Sequence, residues 1–327
     1  MYSDLPVWAS IGFVVAGLVL LAWSSDRFVA GAAALARNLG VSPFVVGMVV
    51  VGFGTSAPEL LVSAFSGASG HTNLSLGNAY GSCVFNIAAI LGVAALVRPL
   101  VVKRHVVLAA LPILLFVTAA SWFLLRDGTL SRLDAVALLV LFAIVMPLYC
   151  KFDDGGADDG TAAVAMSTGR AVFWSVAGLA TMVGASHILV WGAVDIARAL
   201  GVGELLIGLT IVAIGTSIPE LASAIAASRR NESELVLGNI IGSNIFNMLA
   251  VVGIAGVLSP AASYSPYILT RDLPALVLAT LSIGAFGFNF RRPREKGMAT
   301  RLEGAAWVAA FIAYMALTIY QEIATHG

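Results

Sequence analysis

The stretch Thr55-Ser56-Ala57-Pro58-Glu59 returns as Thr216-Ser217-Ile218-Pro219-Glu220, an offset of 161 residues from Glu59 to Glu220. The same offset carries Leu76-Gly77-Asn78 onto Leu237-Gly238-Asn239, and Gly81-Ser82 with Phe85-Asn86 onto Gly242-Ser243 with Phe246-Asn247. Farther out it carries Ala36-Arg37 and Leu39-Gly40-Val41 onto Ala197-Arg198 and Leu200-Gly201-Val202. Separate matches at a single offset mean a duplicated unit with no net insertion between its motifs. Whatever the chain folds into must contain two equivalent halves.

The surroundings of the motifs set the class. The chain is 59% hydrophobic and 11% charged, where soluble domains average roughly 25% charged. About 20 apolar residues cross a bilayer, and ten runs qualify, at roughly 8–36, 43–68, 73–97, 105–125, 132–149, 170–198, 204–228, 234–258, 266–289 and 302–323. Ten runs in two repeats are five each. An odd number forces the copies into opposite orientations, the inverted-repeat plan of many secondary transporters. The expected fold is an all-α membrane protein of ten transmembrane helices, with five-helix repeats at 1–149 and 170–327 joined by a linker at 150–169. The first run has no basic leader and reads as a helix rather than a signal peptide.

Charge placement gives the topology. With the N-terminus outside, Arg37, Arg98, Lys103, Arg104, Lys151, Arg170, Arg229, Arg230 and the basic run from Arg291 to Arg301 fall on the inner side. Only Arg126, Arg132, Arg198 and Arg271 fall on the outer side. Positive residues favour the cytoplasm in short loops, so both termini are expected outside and the membrane is the plasma (inner) membrane. Net charge is zero, and no basic surface suggests nucleic acid. Cys83 and Cys150 are too few for a disulfide framework. The linker, with Asp153, Asp154, Asp158 and Asp159 among glycines, reads as a solvated tether; it lacks the ligand spacing of an EF-hand.

The motifs carry the chemistry. Proline has no N–H and clashes with the carbonyl four residues back, and Gly52 and Gly54 lower the cost of unwinding just before it. A broken helix with free carbonyls near Gly52 to Thr55 is therefore expected, with a new half-helix from about Ser56. The second copy says the same from Ala213 to Glu220. Carbonyls freed in hydrocarbon cost several kcal/mol each unless something replaces the lost bonds, and a cation does so. The alternative is an ordinary helix start, since Ser56-x-x-Glu59 and Ser217-x-x-Glu220 have capping-box spacing. Depth argues for the ion: a carboxylate mid-span costs ~2.5–3.5 kcal/mol or more and marks function by default.

In the following span, Asn78, Ser82 and Asn86 recur at four-residue steps on one helix face, repeated by Asn239, Ser243 and Asn247. They either glue helices by hydrogen bonds or line an ion pathway. Gly77-x-x-x-Gly81 and Gly238-x-x-x-Gly242 would permit close helix approach. Oxygen ligands without shared histidine or cysteine suit Na⁺, K⁺, Ca²⁺ or Mg²⁺ rather than zinc or copper. Two glutamates match the charge of one Ca²⁺. Elsewhere, Asp26 is expected to pair with Arg27, Asp272 with Arg271, and His187 to serve packing. Trp8, Trp122, Trp174 and Trp307 read as interfacial anchors.

Gly54-Thr-Ser-x-Pro-Glu59 followed by Gly77-Asn78-x-x-Gly-Ser82-x-x-Phe-Asn86, repeated from Gly215 to Asn247, closely resembles the two α-repeats of the Na⁺/Ca²⁺ exchangers of the cation/Ca²⁺ antiporter superfamily. The resemblance covers essentially the whole chain. It implies a secondary-active antiporter, not an enzyme, with Ca²⁺ and Na⁺ as transported substrates, no cofactor, and the lipid bilayer as its only implied partner. By that resemblance Glu59 and Glu220, with the Thr55 and Thr216 carbonyls, hold Ca²⁺. Ser56 and Ser217, with Ser82, Ser243 and backbone oxygen near Gly52 and Ala213, serve Na⁺ sites on either side, and Asn86 and Asn247 complete the centre. Proton-coupled members resemble Gly-Asn-x-x-Glu at the motif, and K⁺-dependent members carry aspartate where this chain has Asn247. Both departures favour Na⁺ alone. Alternatives are H⁺/Ca²⁺ or K⁺-dependent exchange, or a passive cation channel with the same ligands.

Overall fold

The computed structural model describes residues 7–68, 72–152, 166–200, 213–260, 263–287 and 297–326. The chain runs α1 (Val7–Leu39), α2 (Pro43–Thr55), α3 (Ala57–Ala68), α4 (Thr72–Val97), β1 (Leu100–Val102), α5 (Val106–Leu125) and α6 (Arg132–Phe152). It continues through α7 (Thr168–Ala199), α8 (Ala213–Thr216), α9 (Ile218–Arg229), α10 (Ser233–Leu258), α11 (Ile268–Phe286), β2 (Gly297–Ala299) and α12 (Arg301–His326). Among the described residues seven helices are long and apolar enough to cross a membrane, or eight if the bent pair α2–α3 is one span. The expected span 204–228 is described only from Ala213 onward. The acidic stretch Asp153–Asp159 and the basic cluster from Arg291 to Lys296 lie outside the described residues.

The two longest helices, α1 with 33 residues and α7 with 32, pack along each other through small residues. A Cβ at Gly17 would sit 2.8 Å from Leu189 Cβ, and one at Gly178 would sit 2.8 Å from Phe28 N. Gly17 and Gly178 are repeat counterparts, and so are Phe28 and Leu189. The same exchange holds for Gly31, whose Cβ would meet Ala171 O at 2.8 Å, and its counterpart Gly192, whose Cβ would meet Ser10 O at 2.7 Å. Rising numbers on α1 meet falling numbers on α7, so these counterpart helices lie antiparallel. Close backbone approach replaces the hydrophobic drive that is missing between helices in lipid.

The buried centre is α4 and α10. Of their spanning windows 78% and 89% are buried, against 17% for α12. The two glycine pairs behave differently. A Cβ at Gly238 would lie 2.1 Å from Phe44 O and one at Gly242 2.5 Å from Met48 O, so α10 presses directly on α2. At Gly77 and Gly81 an added Cβ meets nothing within 4 Å among the described residues. The expected close approach is therefore realised in the second repeat; Leu205 and Leu209, the repeat counterparts of Phe44 and Met48, lie outside the described residues.

Widened turns with one extra residue occupy Phe85–Leu91 and Asn247–Val251, at equivalent places in α4 and α10. Others at Val106–Ala110 and Ile268–Asp272 run into Pro112 and Pro274, where a wider turn relieves the clash of the ring with the carbonyl four residues back. A short antiparallel pairing, with Val101 opposite Met298, ties the chain after α4 to the start of α12.

Several single-residue expectations change. Arg230 Nη2, not Arg27, pairs with Asp26, at 2.6 Å, while Arg27 lies over the Trp174 ring. Trp307 is buried and donates from Nε1 to Ser282 Oγ at 2.7 Å, a packing role rather than an interfacial one. His187 is exposed. Arg271 does pair with Asp272 at 2.6 Å, and Tyr314 also donates to that carboxylate.

Candidate cation-binding site

The broken helices form as the Gly/Pro pattern predicts. Helical backbone ends at Thr55, Ser56 takes φ −81° and ψ 6°, and α3 resumes at a 40° bend. Ser217 repeats this between α8 and α9 with φ −94° and ψ 9°. Pro58 and Pro219 sit in the first turns, where no N–H is needed. That also puts Glu59 and Glu220 in the first turns of α3 and α9, at the end of the helix dipole that favours an anion. Both glutamates are fully buried.

Each motif serine reaches the other repeat's glutamate. The Ser217 hydroxyl donates across to Glu59 Oε1 at 2.8 Å, and the Ser56 hydroxyl donates to Glu220 Oε1 at 2.9 Å. At Ser217 the capping-box spacing is present without a capping bond.

Near this crossed pair several of the sequence-predicted oxygens meet. Ser217 Oγ lies 3.2 Å from Ser82 Oγ, and Ser243 Oγ donates to Gly52 O at 3.2 Å. The Thr55 hydroxyl donates to Val51 O at 2.9 Å, and Thr216 Oγ1 lies 3.4 Å from Asn78 Oδ1. Asn86 donates to Asn244 Oδ1 at 3.0 Å. Gly52 has no space for a side chain: its Cβ would sit 3.0 Å from Ser243 N. Ala213 opens α8, one turn before the Ser217 break.

Four buried side-chain oxygens, Glu59 Oε2, Glu220 Oε2, Asn86 Oδ1 and Asn247 Oδ1, have no hydrogen-bond partner among the described residues. Leaving one buried acceptor unsatisfied costs ~1–3 kcal/mol, and more when it is charged. Two of these atoms are the second oxygens of the crossed carboxylates, and a buried acceptor of that kind is what a cation would satisfy. No group of three or more His, Cys, Asp or Glu gathers among the described residues, so the site's formal charge comes from the two glutamates. Of the two roles expected of the stripe Asn78, Ser82 and Asn86, hydrogen bonding between helices is seen at Asn78, which donates to Glu59 O at 3.2 Å.

Sequence reasoning missed Asn244, which holds Asn86 and is held by Cys83 O at 3.3 Å. Its only signal was its place beside Ser243 in the second copy. The widened turns that begin at the Asn86 and Asn247 level carried no composition cue.

Residues 9–149 and 170–320 match the family described as sodium/calcium exchanger protein. The chain belongs to that family. The exchanger is 40% identical over 319 residues to the putative antiporter CaxA of Alkalimonas amylolytica, covering 93% of this chain and 97% of that one. It is 35% identical over 308 residues to the inner membrane protein YrbG of Escherichia coli, covering 90% and 94%. Its fold matches the solved sodium-calcium exchanger NCX_Mj, soaked with Na⁺ and Sr²⁺, with TM-score 0.81 and 32% identity over 95% of this chain and 99% of that one. The exchanger is a membrane-embedded cation/Ca²⁺ antiporter.

Proposed function

We propose that the exchanger moves Na⁺ and Ca²⁺ in opposite directions across the plasma membrane by alternating access. The observation that carries this reading is the crossed Ser56–Glu220 and Ser217–Glu59 pairs, whose second carboxylate oxygens are buried and unpartnered among the described residues. Two carboxylates balance one Ca²⁺. Glu59 and Glu220 with the Thr55 and Thr216 carbonyls would hold it. Ser56, Ser82, Ser217 and Ser243 with the Gly52 and Ala213 carbonyls would hold Na⁺ on either side, and Asn86 and Asn247 would close the centre. Overlapping oxygen sites cannot be filled by both ions at full charge, and that mutual exclusion couples the two flows.

The antiparallel pairing of α1 with α7, exchanged by the repeat offset, supports two inverted halves at 1–149 and 170–327; ten spans follow from the apolar runs and both termini outside from the placement of positive charge. In that arrangement the same motion run in either half opens the site to opposite sides. The neutral amide at Asn247 supports Na⁺ coupling without K⁺.

The test is uptake of radioactive calcium into Na⁺-loaded vesicles bearing the exchanger. Uptake should rise with an outward Na⁺ gradient and vanish when the gradient is collapsed. Uptake indifferent to Na⁺ but driven by a proton gradient would replace this reading with H⁺/Ca²⁺ exchange, and uptake indifferent to both with a channel.

A further inference from the structure

Beyond the carboxylate centre, two amides are held in a fixed sense by groups the exchange reading leaves unused. Asn239 is 1% exposed, and its Nδ2 donates to Ser223 Oγ at 2.9 Å. Ser223 in turn donates its one hydroxyl proton to Glu220 O at 3.0 Å. A hydroxyl whose proton is committed can only accept. Asn239 must therefore turn its NH₂ toward Ser223 and its oxygen the other way. That oxygen lies 3.3 Å from Thr55 Oγ1 and 3.4 Å from Ser243 Oγ.

The first repeat reaches the same polarity by a different route. Asn78 Nδ2 donates to Glu59 O at 3.2 Å and to Ser63 Oγ at 3.0 Å. A backbone carbonyl is an obligate acceptor, so Asn78 turns its oxygen toward Thr216 Oγ1, 3.4 Å away. The links cross between repeats: Asn239 faces Thr55, and Asn78 faces Thr216.

A hydroxyl that ligates a cation must aim a lone pair at the ion and its proton elsewhere. Val51 O, Gly52 O and Asn239 Oδ1 line the proton side of Thr55 and Ser243 with acceptors. An amide turned end for end would place a donor there and occupy the lone pairs the ion needs. We propose that Ser223, and to a lesser degree Ser63, are positioning residues that fix the sense of the Asn239 and Asn78 amides, keep the site hydroxyls oriented for cation binding, and so set the site's Ca²⁺ affinity. This rests on the cation site proposed above. The two copies are unequal, because Asn78 keeps Glu59 O without Ser63, whereas Ser223 is the only partner of Asn239 Nδ2 among the described contacts.

The experiment measures Ca²⁺ concentration dependence of Na⁺-driven uptake for Ser223→Ala, Ser63→Ala and Ser223→Thr in the full-length exchanger. Removing an outer-layer partner of a metal site costs about 10-fold or more in affinity. Ser223→Ala should raise KM for Ca²⁺ by about that factor with a smaller change in maximal rate, Ser63→Ala should stay within about twofold of wild type, and Ser223→Thr should restore KM. If Ser223→Ala does not assemble, Ser223→Cys keeps the volume with a weaker acceptor and should also raise KM. An unchanged KM in Ser223→Ala, or equal shifts in Ser223→Ala and Ser63→Ala, overturns the proposal. Wild-type protein showing no Na⁺-driven uptake would fail the exchange reading alone. The positioning role is then read from radioactive calcium binding to purified protein, where Ser223→Ala must still bind more weakly than Ser63→Ala.

Discussion

Cys83 and Asn244, which occupy the same position in the two repeats, bond to each other: the Cys83 thiol lies 3.6 Å from Asn244 O, and Asn244 Nδ2 donates to Cys83 O at 3.3 Å. The crossed serine–glutamate pairs likewise join one repeat to the other. A Cys83→Asn exchanger would present like residues at this contact, and it should assemble and retain exchange. Cys83→Leu overfills a fully buried position, at a cost of about 1–3 kcal/mol, and should lower the thermal unfolding temperature of the purified protein. Equal stability of the two variants would refute the close packing of this contact.

Glu59→Gln and Glu220→Gln each remove one of the two charges facing a divalent ion. A unit charge about 4 Å from a divalent ion contributes roughly 8 kcal/mol at an effective dielectric of 20, so exchange should fall below detection while the protein still assembles. Vesicle uptake alongside size-exclusion chromatography checks both halves of this expectation. Near wild-type exchange in either variant would remove that residue from the site.

Gly238→Ala tests the close approach of α10 to α2. It places a Cβ 2.1 Å from Phe44 O, a contact that backbone cannot yield. Gly238→Ala should reduce assembled protein sharply. Expression and thermal unfolding of the purified protein decide, and wild-type stability would refute the contact.

Asn247 sits fully buried with neither amide atom partnered among the described residues. Asn247→Asp would put three carboxylates around one Ca²⁺. Charge balance then requires a proton or a second monovalent cation, so exchange should become pH-dependent or K⁺-stimulated. Uptake measured across pH, with and without K⁺, reads this directly. No change in either dependence would place Asn247 outside the site.

Glu232 lies between α9 and α10, where Asn231 ends α9 in the left-handed region at φ 64°. Burial raises the Glu232 carboxyl above its ordinary value of 4.5, against the pull of Arg37 at 3.5 Å. A carboxyl whose pKa is raised by folding contributes stability that is full below its unfolded value and lost as pH rises through the folded one. The stability of wild type relative to Glu232→Gln should therefore decline as pH rises from the ordinary glutamate range toward neutral. Paired thermal unfolding across that range tests it, and a difference independent of pH would contradict it.

Features that follow from a residue and its near neighbours were legible in the sequence. The duplication is visible as an offset, the breaks at Ser56 and Ser217 follow from glycine and proline a few residues away, and the mid-span depth of Glu59 and Glu220 follows from counting. The partners were not legible. Ser56 has capping spacing to Glu59 yet donates to Glu220, and Asp26 sits beside Arg27 yet pairs with Arg230. Those choices depend on which helices meet and how closely, and a shared motif leaves that open. Two near-identical motifs exchange their partners because the packing of the helices sets each hydroxyl against the other repeat's carboxylate.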